Sequence, residues 1–175
     1  MPDLQEVVVE VAVDRSLQDC WELLQDFSLA HNYVPGLTHT EIVSEQRSGV
    51  GAHRRVYSGN KYLEESITAW DEGGGFVIRL HRGEKPMPPF RAAEFEYALA
   101  SAGEQRTTVR LAMRVEMPLG GFGRLLAKVA ILPVMRKQLA QVAAGIKHFY
   151  ETGEPATDAD RKRLAGSVRT DPAGD

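Results

Sequence analysis

Val7, Val9, Val11 and Val13 alternate with Val8, Glu10, Ala12 and Asp14, the period-two pattern of a strand with one buried face. Ser16 and Asp19 then supply a capping-box-like start for a helix carrying Trp21, Leu24 and Phe27. Asn32 and Pro35-Gly36 close that stretch, after a second short helical turn over Leu29 to Tyr33. A second strand is expected from about Thr40 to Glu45. Ser58-Gly59-Asn60-Lys61 reads as a tight hairpin turn, with Gly59 supplying the positive φ such turns require.

Counting outward from that turn fixes a register. Tyr57 faces Tyr62, Val56 faces Leu63, Arg55 faces Glu64, and Arg54 faces Glu65. Val56, Leu63, Ile67 and Ala69 share the apolar side, with Tyr62, Glu64, Ser66 and Thr68 on the other. Arg55 and Glu64 therefore pair outward, while Arg54 and Glu65 form an inward ion pair. A strand over Phe76 to Arg82 places Phe76, Ile78 and Leu80 inward and Arg79 and His81 outward. Gly83 to Pro89 holds three prolines, which donate no N–H, so this loop is expected to bulge away from the sheet. Ala93, Phe95, Tyr97 and Leu99 face inward on the next strand, and Val109, Leu111, Met113 and Val115 on the last.

Beyond Gly120-Gly121 the period changes to that of a helix, roughly Phe122 to Tyr150. Met135, Leu139, Val142, Ile146 and Phe149 form one stripe, extended toward the start by Leu125, Val129 and Leu132. Arg136, Lys137, Gln141 and Lys147 read as its solvated face, and Pro133 as a kink within it. After Gly153 the composition becomes polar and charged, which predicts a disordered tail over 153–175 following one domain over 1–152. The order is β-αα-ββββββ-α. It predicts an α+β fold in which a curved seven-stranded antiparallel sheet wraps a long C-terminal helix.

Composition narrows the function classes. With 175 residues and a formal net charge of -3, bulk electrostatics suggests no nucleic-acid partner. One cysteine, Cys20, fits a reducing compartment, and the acidic start of the chain does not resemble a signal peptide. No run of about 18 apolar residues is present. A cytoplasmic protein is the expectation. The sequence leaves the oligomeric state open, a homodimer included.

The expected site is the space between sheet and helix, lined by Arg54, Val56, Leu63, Glu65, Ile67, Ile78, Leu80, Phe95, Tyr97, Leu111, Met113, Met135 and Leu139. A carboxylate on an inward apolar face is costly unless paired, so Arg54 and Glu65 read either as a polar anchor for a ligand or as a structural ion pair. Catalysis by Glu65 is disfavoured because the neighbouring arginine opposes any rise in its pKa. His31, His39, His53, His81 and His148 share no metal-ligand spacing, and no metal or cofactor is expected. His39, in the loop entering the second strand, reads either as an exposed loop histidine or as one facing the cavity mouth, and His53 and His81 read outward. Cys20 reads as a buried structural thiol. The loop Pro86 to Pro89, with Met87 and Phe90, reads either as a cavity gate or as an ordinary strand connection.

The chain resembles the START-like (SRPBCC) superfamily, which has a helix-grip fold, and within it the polyketide cyclase/dehydrase and lipid-transport group. The resemblance covers about Leu4 to Thr152. It rests on Val11-Ala12-Val13-Asp14 leading to Cys20-Trp21-Glu22-Leu23-Leu24-Gln25-Asp26-Phe27, Tyr33-Val34-Pro35-Gly36, Gly51-Ala52-His53-Arg54-Arg55, Leu63-Glu64-Glu65-Ser66-Ile67, and the helix entry Pro118-Leu119-Gly120-Gly121-Phe122-Gly123-Arg124-Leu125-Leu126. It implies a deep cavity for lipids, sterols, aromatic polyketides or hormone-like molecules. In hormone-receptor relatives a glutamate resembling Glu65 joins a polar network around the ligand. The leading expectation is a non-catalytic binder or carrier of a hydrophobic small molecule. The alternatives are a polyketide cyclase or dehydratase using the same cavity, and an accessory or chaperone protein with a vestigial pocket.

Overall fold

A computed structural model describes residues 4–118 and 120–171. The chain runs β1 (Leu4–Val13), α1 (Leu17–Leu24), a 3₁₀ turn (Ala30–Asn32), β2 (His39–Ile42), β3 (His53–Ser58), β4 (Lys61–Asp71), β5 (Gly75–Arg82) and β6 (Lys85–Pro86). It continues with β7 (Ala92–Gly103), β8 (Arg106–Glu116), α2 (Gly120–Leu126), a π-helical turn (Ala127–Ile131), α3 (Leu132–Thr152), α4 (Asp158–Leu164) and β9 (Val168–Thr170). One antiparallel sheet carries the order β2-β3-β4-β5-β7-β8-β1-β9, with β6 paired to β5. This is the expected helix-grip arrangement, a curved open sheet against a C-terminal helix. Among the described residues it has nine strands rather than seven, because β6 and β9 are additional.

Local chemistry accounts for the frame. Ser16 Oγ accepts the Asp19 N–H, capping α1. Gly59, at φ 62°, makes the β3–β4 turn, and the pairing that follows is Tyr57 with Tyr62, Val56 with Leu63, Arg55 with Glu64 and Arg54 with Glu65, as counted from the sequence. The valines of β1 at 7, 9, 11 and 13 are all buried and oppose Met113, Leu111, Val109 and Thr107 of β8. Lys147 Nζ of α3 reaches the Ala12 carbonyl at 2.8 Å and Glu151 Oε1 at 2.6 Å. The C-terminal half of α3 is thereby tied to the Val13 end of β1.

Five expectations need correction. The register slips between Ile67 and Ala69, so Trp70 rather than Ala69 comes opposite Phe76, and Ala69 is exposed; a bulge inserts one residue and reverses which face each later residue takes. The proline loop does rejoin the sheet briefly, since Lys85–Pro86 pairs with His81–Arg82 at an edge where proline's missing N–H costs little. The second strand is His39–Ile42, shorter than expected. The last helix is not one α-helix. Pro133 offers no N–H to the Val129 carbonyl four residues earlier, and the ladder widens into the π-helical turn just before it. Met135, Leu139, Val142, Ile146 and Phe149 are buried as predicted, but Leu125 and Val129 are exposed and Leu132 is half-buried.

The fifth correction concerns the tail, expected to be disordered from 153. Thr157 and Asp160 form a reciprocal capping box, and α4 follows. β9 then pairs Val9, Glu10 and Val11 of β1 with Thr170, Arg169 and Val168. Arg161, buried, donates from Nη2 to the Tyr33 carbonyl at 3.3 Å. Arg136 Nε lies 2.7 Å from Asp171 Oδ2. The face of α3 read as solvated is therefore partly covered; residues 172–175 of the expected tail lie outside the described residues.

Candidate functional site

Arg54 and Glu65 occupy adjacent inward positions on β3 and β4. Arg54 Nη2 lies 2.5 Å and Nε 2.6 Å from Glu65 Oε2, so both nitrogens converge on one carboxylate oxygen. Nη1 donates to the Phe27 carbonyl at 2.7 Å, and the guanidinium carbon stands 3.9 Å above the Phe27 ring. Arg54 is 1% exposed and Glu65 8%. Burial works against the Arg54 charge, but the Glu65 carboxylate and the neighbouring Tyr33 and Tyr97 outweigh it, and the guanidinium is held above its ordinary value.

Three tyrosines stand near this pair. Tyr33 follows the 3₁₀ turn, Tyr97 points inward from β7, and Tyr150 ends the buried stripe of α3. The Tyr33 ring lies 6.5 Å from Tyr97, 6.3 Å from Phe149 and 6.2 Å from Tyr150. Burial raises the Tyr33 phenol above its usual value, with Arg54 pulling the other way, and pushes Tyr97 and Tyr150 well above it. The Tyr150 hydroxyl is buried with no hydrogen-bond partner among the described residues. Gly145 lets α3 approach this cluster: a Cβ there would stand 2.2 Å from the Tyr33 carbonyl oxygen.

The expected lining residues come together in one core cluster. Val56, Ile67, Ile78, Leu80, Phe95, Tyr97, Leu111, Met135 and Leu139 are buried members of it, and Leu63 and Met113 pack against it half-buried. Their burial is uneven. Toward the C-terminal end of α3, Tyr33 and Phe149 fill the interior, and Phe76, Tyr97 and Leu111 are nearly sealed. At the opposite end Leu63, Met113, Ile131 and Leu132 are only half-buried, as are Met87 and Phe90 of the proline loop. That loop is fixed beside the end of β8 by the Arg91 N–H, which donates to the Glu116 carbonyl at 2.8 Å.

Sequence reasoning missed Tyr33, Tyr150 and Phe27 as parts of this site. They lie after α1 and at the end of α3, so no strand register points to them. The available signal was chemical: an aromatic hydroxyl in a core segment needs a partner.

The outer face of the same strands holds a second polar cluster. His81 reads outward as expected but is 3% exposed, because the β5–β6 turn folds over it. Its Nε2 lies 2.8 Å from Ser66 Oγ and its Nδ1 2.7 Å from the Gly83 carbonyl. Glu64 accepts the Gly83 N–H and lies 3.4 Å from His53 Nε2 and 3.5 Å from Arg55 Nε. His39 is exposed at the start of β2, its ring 5.7 Å from Tyr57 and 6.3 Å from His31. Cys20 is buried and free, with a thiol raised by burial. Among the described residues, no group of three or more His, Cys, Asp or Glu is placed to hold a metal ion. No helix among them is long and apolar enough to cross a membrane.

Comparison with solved structures places the fold. A START superfamily protein from Mycobacterium smegmatis is similar at TM-score 0.63 and 16% identity, covering 83% of this chain and 97% of that one. The Zhui aromatase/cyclase from Streptomyces sp. R1128 is similar at TM-score 0.61 and 17% identity, covering 85% and 94%. Norcoclaurine synthase from Thalictrum flavum, solved with dopamine and hydroxybenzaldehyde, is similar at TM-score 0.64 and 15% identity, covering 85% and 87%. At these identities the likeness is one of fold. Among curated proteins, no significant match is found. The family described as polyketide cyclase / dehydrase and lipid transport matches residues 5–147, and the chain belongs to that family.

Proposed function

We propose that the protein binds or carries a small hydrophobic molecule with one polar end, held between the sheet and α3, without transforming it. The observation that carries this reading is the inward Arg54–Glu65 pair, set in an apolar interior beside the hydroxyls of Tyr33, Tyr97 and Tyr150. Such a site has few polar groups in a largely apolar lining, the usual composition of a small-molecule pocket. Both Arg54 contacts fall on Glu65 Oε2, which leaves Oε1 to accept from a ligand hydroxyl. The tyrosine hydroxyls supply donors for a ligand carbonyl or phenol. The apolar body would enter past Leu63, Met113 and the Met87–Phe90 loop, where the inward side chains are half-buried.

A carrier is favoured over a cyclase or dehydratase because Glu65 is locked to a guanidinium, and burial keeps Tyr97 and Tyr150 protonated. A general base must take up a proton near the working pH, and phenols that burial keeps protonated are not poised for that. The test is isothermal titration calorimetry with 2-naphthol, a neutral aromatic body whose single hydroxyl can donate to Glu65 Oε1. Saturable one-to-one binding is expected. Affinity should fall about tenfold or more in Arg54→Met/Glu65→Leu, the loss of roughly one charge-assisted hydrogen bond. Equal affinity in that variant would remove the polar-anchor role.

A further inference from the structure

We propose that the helical segment leading into α3, from Gly120 to Val134, is a docking surface for an anionic lipid membrane. Phe122, Leu125, Leu126 and Val129 recur at spacings of three and four, the signature of an amphipathic helix burying one face. In this chain that face is turned to water: Phe122 is 70% exposed, Leu125 61% and Val129 72%, with Val134 following at 59%. The core is met instead by Gly123 and, beyond the π-helical turn, by Met135. A contiguous apolar stripe of this size on a surface marks an interaction site.

Charge selects the occupant. No Asp or Glu occurs from Met117 to Tyr150, whereas Arg124, Lys128, Arg136, Lys137 and Lys147 all fall there, in a chain of formal net charge -3. Arg136 and Lys147 are engaged by Asp171 and Glu151, while Lys128 and Lys137 are exposed. A second copy of the chain docking through this stripe about a two-fold axis would set these cations against themselves. A membrane of anionic lipids accepts both features, taking apolar side chains below the headgroups and lysines at the phosphates. The segment follows β8, whose end holds the Met87–Phe90 loop, so docking brings the half-buried end of the grip to the bilayer.

The test is flotation of the full chain with phosphatidylcholine vesicles and with vesicles containing one quarter phosphatidylglycerol, at low and high salt. Binding is expected to the anionic vesicles, about tenfold or more tighter than to the zwitterionic ones, and to weaken as salt rises. Leu125→Asp/Val129→Asp should abolish it and Lys128→Glu/Lys137→Glu should weaken it, both with unchanged thermal unfolding. Failure to float with anionic vesicles overturns the proposal, as does binding indifferent to the aspartate pair. A wild-type dimer that Leu125→Asp/Val129→Asp converts to monomer also overturns it, assigning the stripe to self-association.

Discussion

Arg54 and Glu65, opposite one another on β3 and β4, share a single carboxylate oxygen within 2.6 Å while Arg54 is almost fully withdrawn from water. Removing one partner of such a pair leaves a buried uncompensated charge. Glu65→Leu should therefore destabilise the protein by about 3–5 kcal/mol, since the Phe27 carbonyl and ring that remain carry no compensating charge. Arg54→Met/Glu65→Leu, which removes both charges and keeps volume, should return stability to within about 1–2 kcal/mol of wild type. Urea unfolding of the three proteins checks this; a double variant no more stable than the single one would contradict it.

Gly145 and Tyr33 give the second prediction. In an exposed helix Gly→Ala gains about 1 kcal/mol from helix propensity. Here the added methyl would enter the space of the Tyr33 carbonyl, and α3 must move or Tyr33 must yield. Gly145→Ala should be net destabilising by roughly 1–3 kcal/mol. A raised melting temperature would show that the close approach is not tight.

The outer-face cluster makes stability depend on pH. Burial lowers the His53 pKa from its ordinary 6.5, more than Glu64 raises it, with His81 and Arg55 adding to the lowering. The Gly83 N–H, against the opposing effect of burial and with help from His53 and Arg55, lowers Glu64 from 4.5. Both folded values lie below the unfolded ones, so both contributions are full above those ordinary values and are lost as pH falls through the folded ones. Stability should decline in two stages, the first beginning near pH 6.5 and the second near 4.5. His53→Gln should flatten the first and Glu64→Gln the second in unfolding titrations. An unchanged profile in both would contradict the assignment.

The C-terminal segment should matter to the fold rather than trail from it. Arg161 donates to the Tyr33 carbonyl and the Ala156 N–H to the Asn32 carbonyl at 2.8 Å, both clamping the turn that carries Tyr33. Arg161→Leu should cost about 1.5–3 kcal/mol, the range for a charge-assisted hydrogen bond. Truncation after Gly153 should cost at least as much in thermal unfolding. An unshifted melting temperature for the truncation would mean that the segment is only loosely applied.

Much of the frame was legible because it rests on local rules. Gly59 fixed the β3–β4 register, and the register alone put Arg54 and Glu65 side by side. The α3 stripe from Met135 to Phe149 followed from spacing. The misreadings share a physical cause: periodicity tells which face is apolar, not what covers it. Leu125 and Val129 have the right spacing for the core, yet the widened turn before Pro133 and the path of α2 leave them in water. The bulge at Ile67/Ala69 has no side-chain signature. The Thr157–Asp160 capping box was present in the sequence but masked by a polar composition.

The most direct measurement of the proposed ligand site is amide chemical-shift mapping of the full chain with saturating 2-naphthol. Shifts concentrated at Tyr33, Arg54, Glu65, Tyr97 and Leu139 are the predicted result. Shifts confined to the exterior strands or to the α3–α4 surface, with those five amides unmoved, would contradict it.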